Sequence, residues 1–341
     1  MHRAILALAA LVVSACTGFA VPACAAELNI YSTRQEHLIR PLLDAFSAET
    51  GIKVNLVSGG EDALFERLRA EGANSPADLF LTVDVGRLVR AKLAGMLQPL
   101  KSTALETAIP AELRDPEGEW FGLSVRARVI FHAKDRVKAE ELSSYAALAD
   151  SKWKGRICVR SSSNVYNQSL LAAMIATSGA AAAENWAKAM VANFARPPQG
   201  GDRDQILAVA AGACDIAVAN TYYFAGLLQS QKAEDRQAAA KLALFWPDQK
   251  GRGAHINVSG AGVTKGARNK AEAQRFLEFL SGDMAQRLYA EAVYEFPVRR
   301  NVAISGVVAD FGAFKSDTLS LAEIGKHQAE TLRIFDRVGW R

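Results

Sequence analysis

The chain has 341 residues, of which 50% are hydrophobic and 22% are charged, and its formal net charge is only +4. Its Lys and Arg residues are scattered among acidic ones, with no basic run interleaved with aromatic side chains, which argues against nucleic acid as a partner. A chain of this length is too long for one compact core and predicts two domains.

Residues 1–26 have the pattern of an export signal. Arg3 supplies the positive start, residues 4–13 form an apolar run, and Ala23-Cys24-Ala25 resembles a cleavage site. The apolar run is too short to span a membrane. Residues 13–16 also resemble a lipoprotein processing box that would leave a lipid on Cys16. We predict ordinary cleavage after residue 25 or 26, with lipid anchoring at Cys16 as the alternative.

Strand and helix patterns alternate through the first third of the chain. Short apolar runs predict strands, and apolar residues at helical spacing predict the helices between them. The strands are expected at residues 28–31, 52–56 and 78–83, and the helices around residues 38–46 and 64–68. This order predicts a parallel sheet covered by helices, with ligands outside the carboxyl ends of the strands.

Two extended stretches, residues 123–132 and 256–263, are candidate crossings between two lobes. The segment between them has strand patterns of its own. We therefore predict an α/β protein with a discontinuous N-terminal lobe, residues 27–125 plus 262–341, and a C-terminal lobe, residues 126–261. Two lobes joined by two crossing strands enclose a cleft that closes by hinge bending.

Three tyrosines stand at the ends of predicted strands. Tyr166 follows the strand pattern at residues 157–159, and Tyr222 and Tyr223 follow the one at residues 215–219. A phenol, with a pKa of about 10, becomes a good ligand only when a highly charged cation displaces its proton. Fe(III) can do so, and hard cations prefer anionic oxygen. The alternative is an aromatic pair, Tyr222 and Tyr223, that packs the start of a helix.

The cysteines are consistent with this grouping of the tyrosines. Cleavage of the signal leaves Cys158 and Cys214, each eight residues before a tyrosine, Tyr166 or Tyr222. In an oxidising compartment we predict that these two cysteines form a disulfide, with two buried free thiols as the alternative. If the two strands are neighbours, a Cys158–Cys214 disulfide would bring the phenols together.

Four segments together resemble the periplasmic ferric-iron-binding proteins of ABC transporters. They read LNIYSTRQEHLIRPLLDAFSAETGIKVNLVSGG, SPADLFLTVDVGRL, ICVRSSSNVYNQSL and ANTYYFAGLL. The resemblance covers essentially the whole mature chain and is most specific in the two tyrosine segments. It implies a type II-like two-lobe periplasmic binding fold. It also implies a protein without enzymatic activity that delivers Fe(III) to an inner-membrane permease and its ATPase. We expect a monomer. It further implies that Tyr222 and Tyr223 bind the metal, joined by Tyr166 in one subgroup.

The first lobe departs from the other subgroups of that family. Gln35 stands where those have a metal-binding histidine, and Ala63 stands where some have a glutamate. Glu36, His37 and Glu61 are near these positions but out of register. The first lobe is therefore expected to offer no firm protein ligand to the metal.

The subgroup that this chain resembles completes the metal shell with carbonate, so we expect carbonate or bicarbonate as a synergistic anion. Arginine suits such an anion because its planar fork donates two parallel hydrogen bonds. The predicted anion-binding residues are Arg34, Gln35 and Arg126, with Arg128 on the same face of the crossing strand.

Other classes of function have weaker support. The four histidines of the mature chain lack zinc-site spacing, and no hydrolase or metalloprotease motif is present. A binder of a small inorganic or organic anion in the same fold is the alternative function. The serines at residues 161–163 and Gly59-Gly60 would suit it, but such a site has no use for three convergent phenols.

Overall fold

A computed structural model describes residues 26–341. The predicted export signal, apart from Ala26, and the alternative lipid site at Cys16 lie outside the described residues. Between residues 26 and 341, no helix is long and apolar enough to cross a membrane.

The described chain alternates strands and helices, as the sequence predicts. The strands are β1 (Glu27–Ser32), β2 (Lys53–Ser58), β3 (Leu79–Val83), β4 (Phe121–Ala133), β5 (Ile157–Cys158), β6 (Ile216–Asn220), β7 (Leu242–Phe245), β8 (Ile256–Val263) and β9 (Phe296–Pro297). The helices of the first half are α1 (Glu36–Thr50), α2 (Glu61–Glu71), α3 (Val85–Leu93), α4 (Thr103–Ala108), α5 (Val165–Ser178) and α6 (Ala180–Ala192). Those of the second half are α7 (Asp202–Ala210), α8 (Thr221–Leu228), α9 (Ala233–Ala240), α10 (Lys270–Leu280), α11 (Asp283–Ala292), α12 (Leu321–Lys326) and α13 (Gln328–Val338).

The first lobe is built on the parallel strands β1, β2 and β3, with β1 in the centre. Helix α1 covers them with a buried stripe of Ile39, Leu42, Leu43 and Phe46. It ends at Gly51, whose φ of 72° permits the left-handed cap that donates to the carbonyl of Ser47. The predicted parallel sheet is therefore present, and β8 adds an antiparallel strand beside β3.

The long strand β4 connects the two lobes. Its residues 121–127 pair with β8 on the first-lobe side, and its residues 128–132 pair antiparallel with β6 on the second-lobe side. Both predicted crossings are thus strands, and they are hydrogen-bonded neighbours. A bend of β4 between its two ladders would move one lobe relative to the other.

The second lobe brings the two tyrosine segments side by side. Strands β5 and β6 are parallel neighbours, with Cys158 opposite Ala217. The predicted disulfide Cys158–Cys214 is confirmed, with the two Cα atoms 5.9 Å apart. It ties the start of β6 to the end of β5, directly before the loop that leads to α5.

The C-terminal helices reach across to the second lobe. Helix α12 contacts α3 and α5, and α13 packs against α5 and α6. Beyond α13, the ring of Trp340 lies 5.0 Å from that of Phe194, and its Nε1 donates to the carbonyl of Arg160. The lobe boundaries predicted from the sequence placed this whole region in the first lobe, and they stay a prediction.

We expect the double substitution Cys158→Ser with Cys214→Ser to lower the free energy of unfolding by about 2 to 4 kcal/mol, because it releases a constraint on the unfolded chain. Chemical denaturation followed by circular dichroism measures this change. Adding a reductant to the unsubstituted protein should have the same effect and should leave the variant unchanged. Equal stability of the two proteins would contradict this account of the cross-link.

Candidate metal centre in the cleft

A cavity of about 180 Å³ lies between the two lobes. The first lobe contributes the end of β1, the start of α1, the start of α2 and the end of β3. The second lobe contributes the end of β5 and the starts of α5 and α8. The lining residues are Thr33, Arg34, Gln35, Leu38, Glu61, Val83, Arg160, Asn164, Tyr166, Tyr222 and Tyr223.

All three predicted tyrosines are in this cavity, each at the start of a helix. Tyr166 is the second residue of α5, where the Asn164 side chain caps the helix by accepting from the Tyr166 N–H at 3.0 Å. Tyr222 and Tyr223 are the second and third residues of α8, directly after β6. Because β5 and β6 are parallel, the loops at their carboxyl ends emerge at the same edge of the sheet.

The phenols are close enough to share one ligand. The hydroxyl oxygens of Tyr166 and Tyr222 are 3.1 Å apart, and the rings of Tyr222 and Tyr223 have centroids 4.2 Å apart. Burial, and then the neighbouring Tyr166 hydroxyl, raise the pKa values of Tyr222 and Tyr223 above the usual value for a phenol. Tyr222 and Tyr223 are thus neutral hydroxyls at neutral pH, and only a strong Lewis acid would convert them to phenolates.

Three guanidinium groups surround the ring of Tyr166. The guanidinium carbons of Arg126, Arg160 and Arg128 lie 5.2, 5.3 and 6.0 Å from its centroid. Positive charge this close to an aromatic ring is attracted to its face.

On the second-lobe side, the arginines are held by the fully buried Asp202 at the start of α7. Its Oδ2 accepts from Arg128 Nη1 at 3.0 Å and from the Asn220 N–H at 2.8 Å. Its Oδ1 lies 3.5 Å from Arg160 Nη1. Arg128 Nη2 also donates to Asn167 Oδ1, so both terminal nitrogens of Arg128 are engaged within the lobe.

On the first-lobe side, the buried Glu295 has the corresponding role. Its Oε1 accepts from Arg34 Nη2 at 2.9 Å and lies 3.9 Å from Arg126 Nη1. Both arginines also donate to the hydroxyl of Ser259. Burial alone would raise the pKa of Glu295, but Arg34 and Arg126 bring it below its ordinary value.

Four arginines therefore share two carboxylates around the cavity. Even when the buried Asp84 near Arg126 and the Glu61–Arg87 ion pair are included, five arginines stand against four carboxylates. Arg160 is loosely paired, since its one acid contact within residues 26–341 is Asp202 Oδ1 at 3.5 Å, whereas Arg34 and Arg128 hold their carboxylates at 2.9 and 3.0 Å. Its head group lies in the cavity, so this surplus charge is available to an anion there.

The three predicted anion-binding residues differ in how they lie relative to the cavity. Gln35 is exposed and lines the cavity, and Arg34 lines it while its two terminal nitrogens are engaged by Ser259 and Glu295. Arg126 does not line the cavity; it lies behind Tyr166 and donates to Ser259 and to the Val258 carbonyl. Their role as anion ligands stays a prediction.

Sequence reasoning missed Arg160, Asp202 and Glu295. Arg160 directly follows the predicted strand at residues 157–159, so the rule that places ligands at strand ends would have found it. Asp202 and Glu295 have no local signal, because each is identified only by partners far along the chain. In the described part of the chain, no group of three or more His, Cys, Asp or Glu side chains could hold a metal.

Comparison with known proteins gives one consistent result. The family model described as bacterial extracellular solute-binding protein matches residues 74–311. The chain is 50% identical over 315 residues to iron uptake protein A1 of Synechocystis sp., covering 92% of this chain and 88% of that protein. It is 31% identical over 260 residues to the Fe(3+)-binding periplasmic protein of Serratia marcescens, covering 76% and 75%.

Among solved structures, the chain resembles Trichodesmium FutA (IdiA) in complex with iron and citrate. The TM-score is 0.89 at 51% identity, and the match covers 92% of this chain and all of that one.

We expect Glu295→Gln to lower the free energy of unfolding by about 3 kcal/mol or more, because it leaves Arg34 and Arg126 buried without their counter-charge. The depressed pKa of Glu295 means that its contribution is present above its unfolded pKa of about 4.3 and is lost as the pH falls through the lower folded value. Denaturant unfolding at pH 7 and pH 3 measures both effects.

The exposed Glu291→Gln on α11 is the matched control and should change stability by less than about 0.5 kcal/mol. If Glu295→Gln lowered the free energy of unfolding no more than this control, the buried charge network would not contribute the stability that we expect from it.

Proposed function

The chain belongs to the bacterial extracellular solute-binding protein family, and we propose that it captures Fe(III) in the periplasm and delivers it to an ABC permease and its ATPase. The family resemblance and the two-lobe α/β fold predicted from the sequence are confirmed. Relatives named as iron uptake and Fe(3+)-binding periplasmic proteins support the choice of ligand and of compartment. Because these relatives are uptake and binding proteins, we assign a binding function to this chain rather than an enzymatic one.

The convergence of three phenols in one cavity is the observation that carries this proposal. In the proposed complex, Tyr166, Tyr222 and Tyr223 lose their protons and bind the metal as phenolates. Three phenolates neutralise Fe(III), so a trivalent hard cation matches this donor set better than a divalent one. Softer divalent ions prefer imidazole or thiolate, and neither group lines the cavity formed by the described residues.

A small oxyanion completes the metal shell in this proposal. The surplus positive charge around the cavity favours it, and Arg34, Gln35 and Arg160 are the lining residues that offer donors. Carbonate or bicarbonate fits the planar fork of an arginine, and citrate is the ligand present with iron in the FutA structure. Arg126, predicted from the sequence to bind the anion, does not line the cavity, and we propose that it acts on the site through its charge.

The alternative function, binding of a small anion without metal, rests on the same surplus of positive charge. It gives no role to the tyrosine hydroxyls, and it predicts that anion affinity is independent of iron. The export signal at residues 1–26 and the monomeric state remain predictions, which mass spectrometry of the secreted chain and light scattering would test.

We expect the metal-stripped protein to develop a visible phenolate-to-iron band when it is titrated with ferric citrate, saturating near one iron per chain. Tyr222→Phe and Tyr223→Phe should each weaken the band and reduce iron affinity by at least about tenfold, while circular dichroism stays unchanged. Tyr294→Phe is the control, because this half-buried tyrosine packs against the hydrophobic core and does not line the cavity.

Titrations with and without bicarbonate separate the possible anions. A band that needs bicarbonate supports carbonate, and one that is full with citrate alone supports citrate. A folded protein without any band would favour the anion-binding alternative.

We also expect iron binding to release about three protons per metal, one from each phenol that becomes a ligand. The raised pKa values of Tyr222 and Tyr223 keep these two groups protonated in the free protein. The apparent affinity should therefore fall as the pH is lowered from 8 to 6. Proton release is measured with a pH indicator in weak buffer, corrected for the protons released by the iron salt and anion alone. Release of no protons, or an affinity that is flat with pH, would contradict phenolate ligation.

A further inference from the structure

A separate cavity of about 130 Å³ lies between helix α5 and the turn that joins β7 to β8, and it shares no lining residue with the tyrosine cavity. Part of its lining is apolar, formed by Leu170, Ala173 and Met174 on one face of α5. Ser178 and Arg252 also line it and are exposed, so the cavity can be reached from solvent. A cavity of about 150 Å³ holds a molecule the size of benzene, so there is room for a small organic ligand.

His255 gives this cavity a buried polar group without a partner. The residue is 5% exposed, and its imidazole forms no hydrogen bond or ion pair in the described chain, although its backbone N–H donates to the Tyr145 hydroxyl at 2.9 Å. The other buried histidine of residues 26–341, His132, has its Nδ1 2.9 Å from the Val137 carbonyl oxygen. Buried polar side chains are rarely unpaired, so His255 requires a partner from within the cavity. Burial lowers the pKa of His255 to about 4, so at neutral pH one ring nitrogen can accept a hydrogen bond.

Asp248 gives the same cavity an uncompensated negative charge. Its Oδ2 accepts from the Tyr145 N–H at 3.2 Å, but no Lys, Arg or His of residues 26–341 forms an ion pair with it. The second acid of the lining, Asp317, is already paired, with its oxygens 2.9 and 3.1 Å from Arg252 nitrogens. Burial, and to a lesser extent the charge of Asp317, raise the pKa of Asp248 above its ordinary value. A cationic ligand would supply the counter-charge that the carboxylate lacks.

We propose that this cavity binds a short aliphatic primary amine, with its ammonium group on Asp248 and His255 and its alkyl chain on the apolar face of α5. An ammonium group has three N–H donors, and a carboxylate and a neutral imidazole are both acceptors. A bare inorganic cation would compensate the charge but would leave Leu170 and Met174 facing water. A neutral molecule of the same size would cover the apolar face but would leave Asp248 without a counter-charge. An amine meets both requirements.

Matched variants separate the two polar contacts. Asp248 has a φ of 58°, in the left-handed region that asparagine also adopts readily, so Asp248→Asn removes the charge without straining the backbone. His255→Phe keeps a planar ring and removes both ring nitrogens, which make no hydrogen bond within the described chain. Asp336→Asn on α13 is the control, because Asp336 is exposed, forms no ion pair among residues 26–341 and does not line the cavity.

The test is a calorimetric titration of the metal-free full chain with n-butylamine at neutral pH and fixed ionic strength. Ammonium chloride and n-butanol are the comparison probes, and circular dichroism verifies the fold of each variant. We expect n-butylamine to bind at one site per chain, and both comparison probes to bind at least about tenfold more weakly. Asp248→Asn should reduce the affinity for n-butylamine at least about tenfold, and His255→Phe about threefold or more. Asp336→Asn should lie within about twofold of the unsubstituted protein.

Several results would overturn the inference. Absence of saturable n-butylamine binding would reject the site, and so would an unchanged affinity in a folded Asp248→Asn variant. Equal affinity for n-butanol would make the cavity purely apolar, and equal affinity for ammonium would remove the role of α5. The comparison of probes uses the unsubstituted protein, so it stands even where a variant does not fold. Because the two cavities share no lining residue, Tyr222→Phe should leave amine binding unchanged, which separates this inference from the proposed function.

Discussion

A buried guanidinium must be paired with a carboxylate, and this requirement organises both walls of the cleft. Removing a charge from water costs several kcal/mol unless a partner of opposite sign and hydrogen bonds replace the lost solvation. Asp202 meets this need on one lobe and Glu295 on the other, each for two arginines. The tyrosines lie next to these paired charges, so their electrostatic environment depends partly on two carboxylates, Asp202 and Glu295, that do not line the cavity.

Strand β4 joins these two charge clusters. Arg126 lies where β4 pairs with β8, and Arg128 lies two residues later, where β4 pairs with β6. The same strand therefore carries one arginine in the ladder of each lobe, and both lie near the ring of Tyr166. A change in the angle between the lobes would therefore bend β4 between Arg126 and Arg128, where the two charge clusters meet.

Local patterns were sufficient to predict the strands, the two crossings and the tyrosines. Alternation of apolar residues and the positions of strand ends are properties of neighbouring residues, and they remain valid after folding. The disulfide was also predictable, because Cys158 and Cys214 are the two cysteines that signal cleavage leaves, and cysteines pair in an oxidising compartment. These features account for the fold class and for the tyrosines that we propose as metal ligands.

The charge network could not be predicted in this way. Arg34 and Glu295 are 261 residues apart, and no periodicity relates them. Strand alternation correctly put Arg126 and Arg128 on one face, but it could not tell that the first donates to Ser259 and the second to Asp202. Whether an arginine faces a ligand or an internal acid depends on tertiary contacts that the local sequence does not encode.

The disulfide between β5 and β6 has a consequence for the order of events during ligand capture. It braces the two loops that carry the tyrosines within a single lobe, so their spacing does not depend on whether the cleft is open. A site that is assembled in advance can be filled in one diffusional encounter, without waiting for a domain movement. Closure of the cleft then determines how long the ligand stays bound. The association rate would thus depend on the second lobe, and the dissociation rate on the hinge.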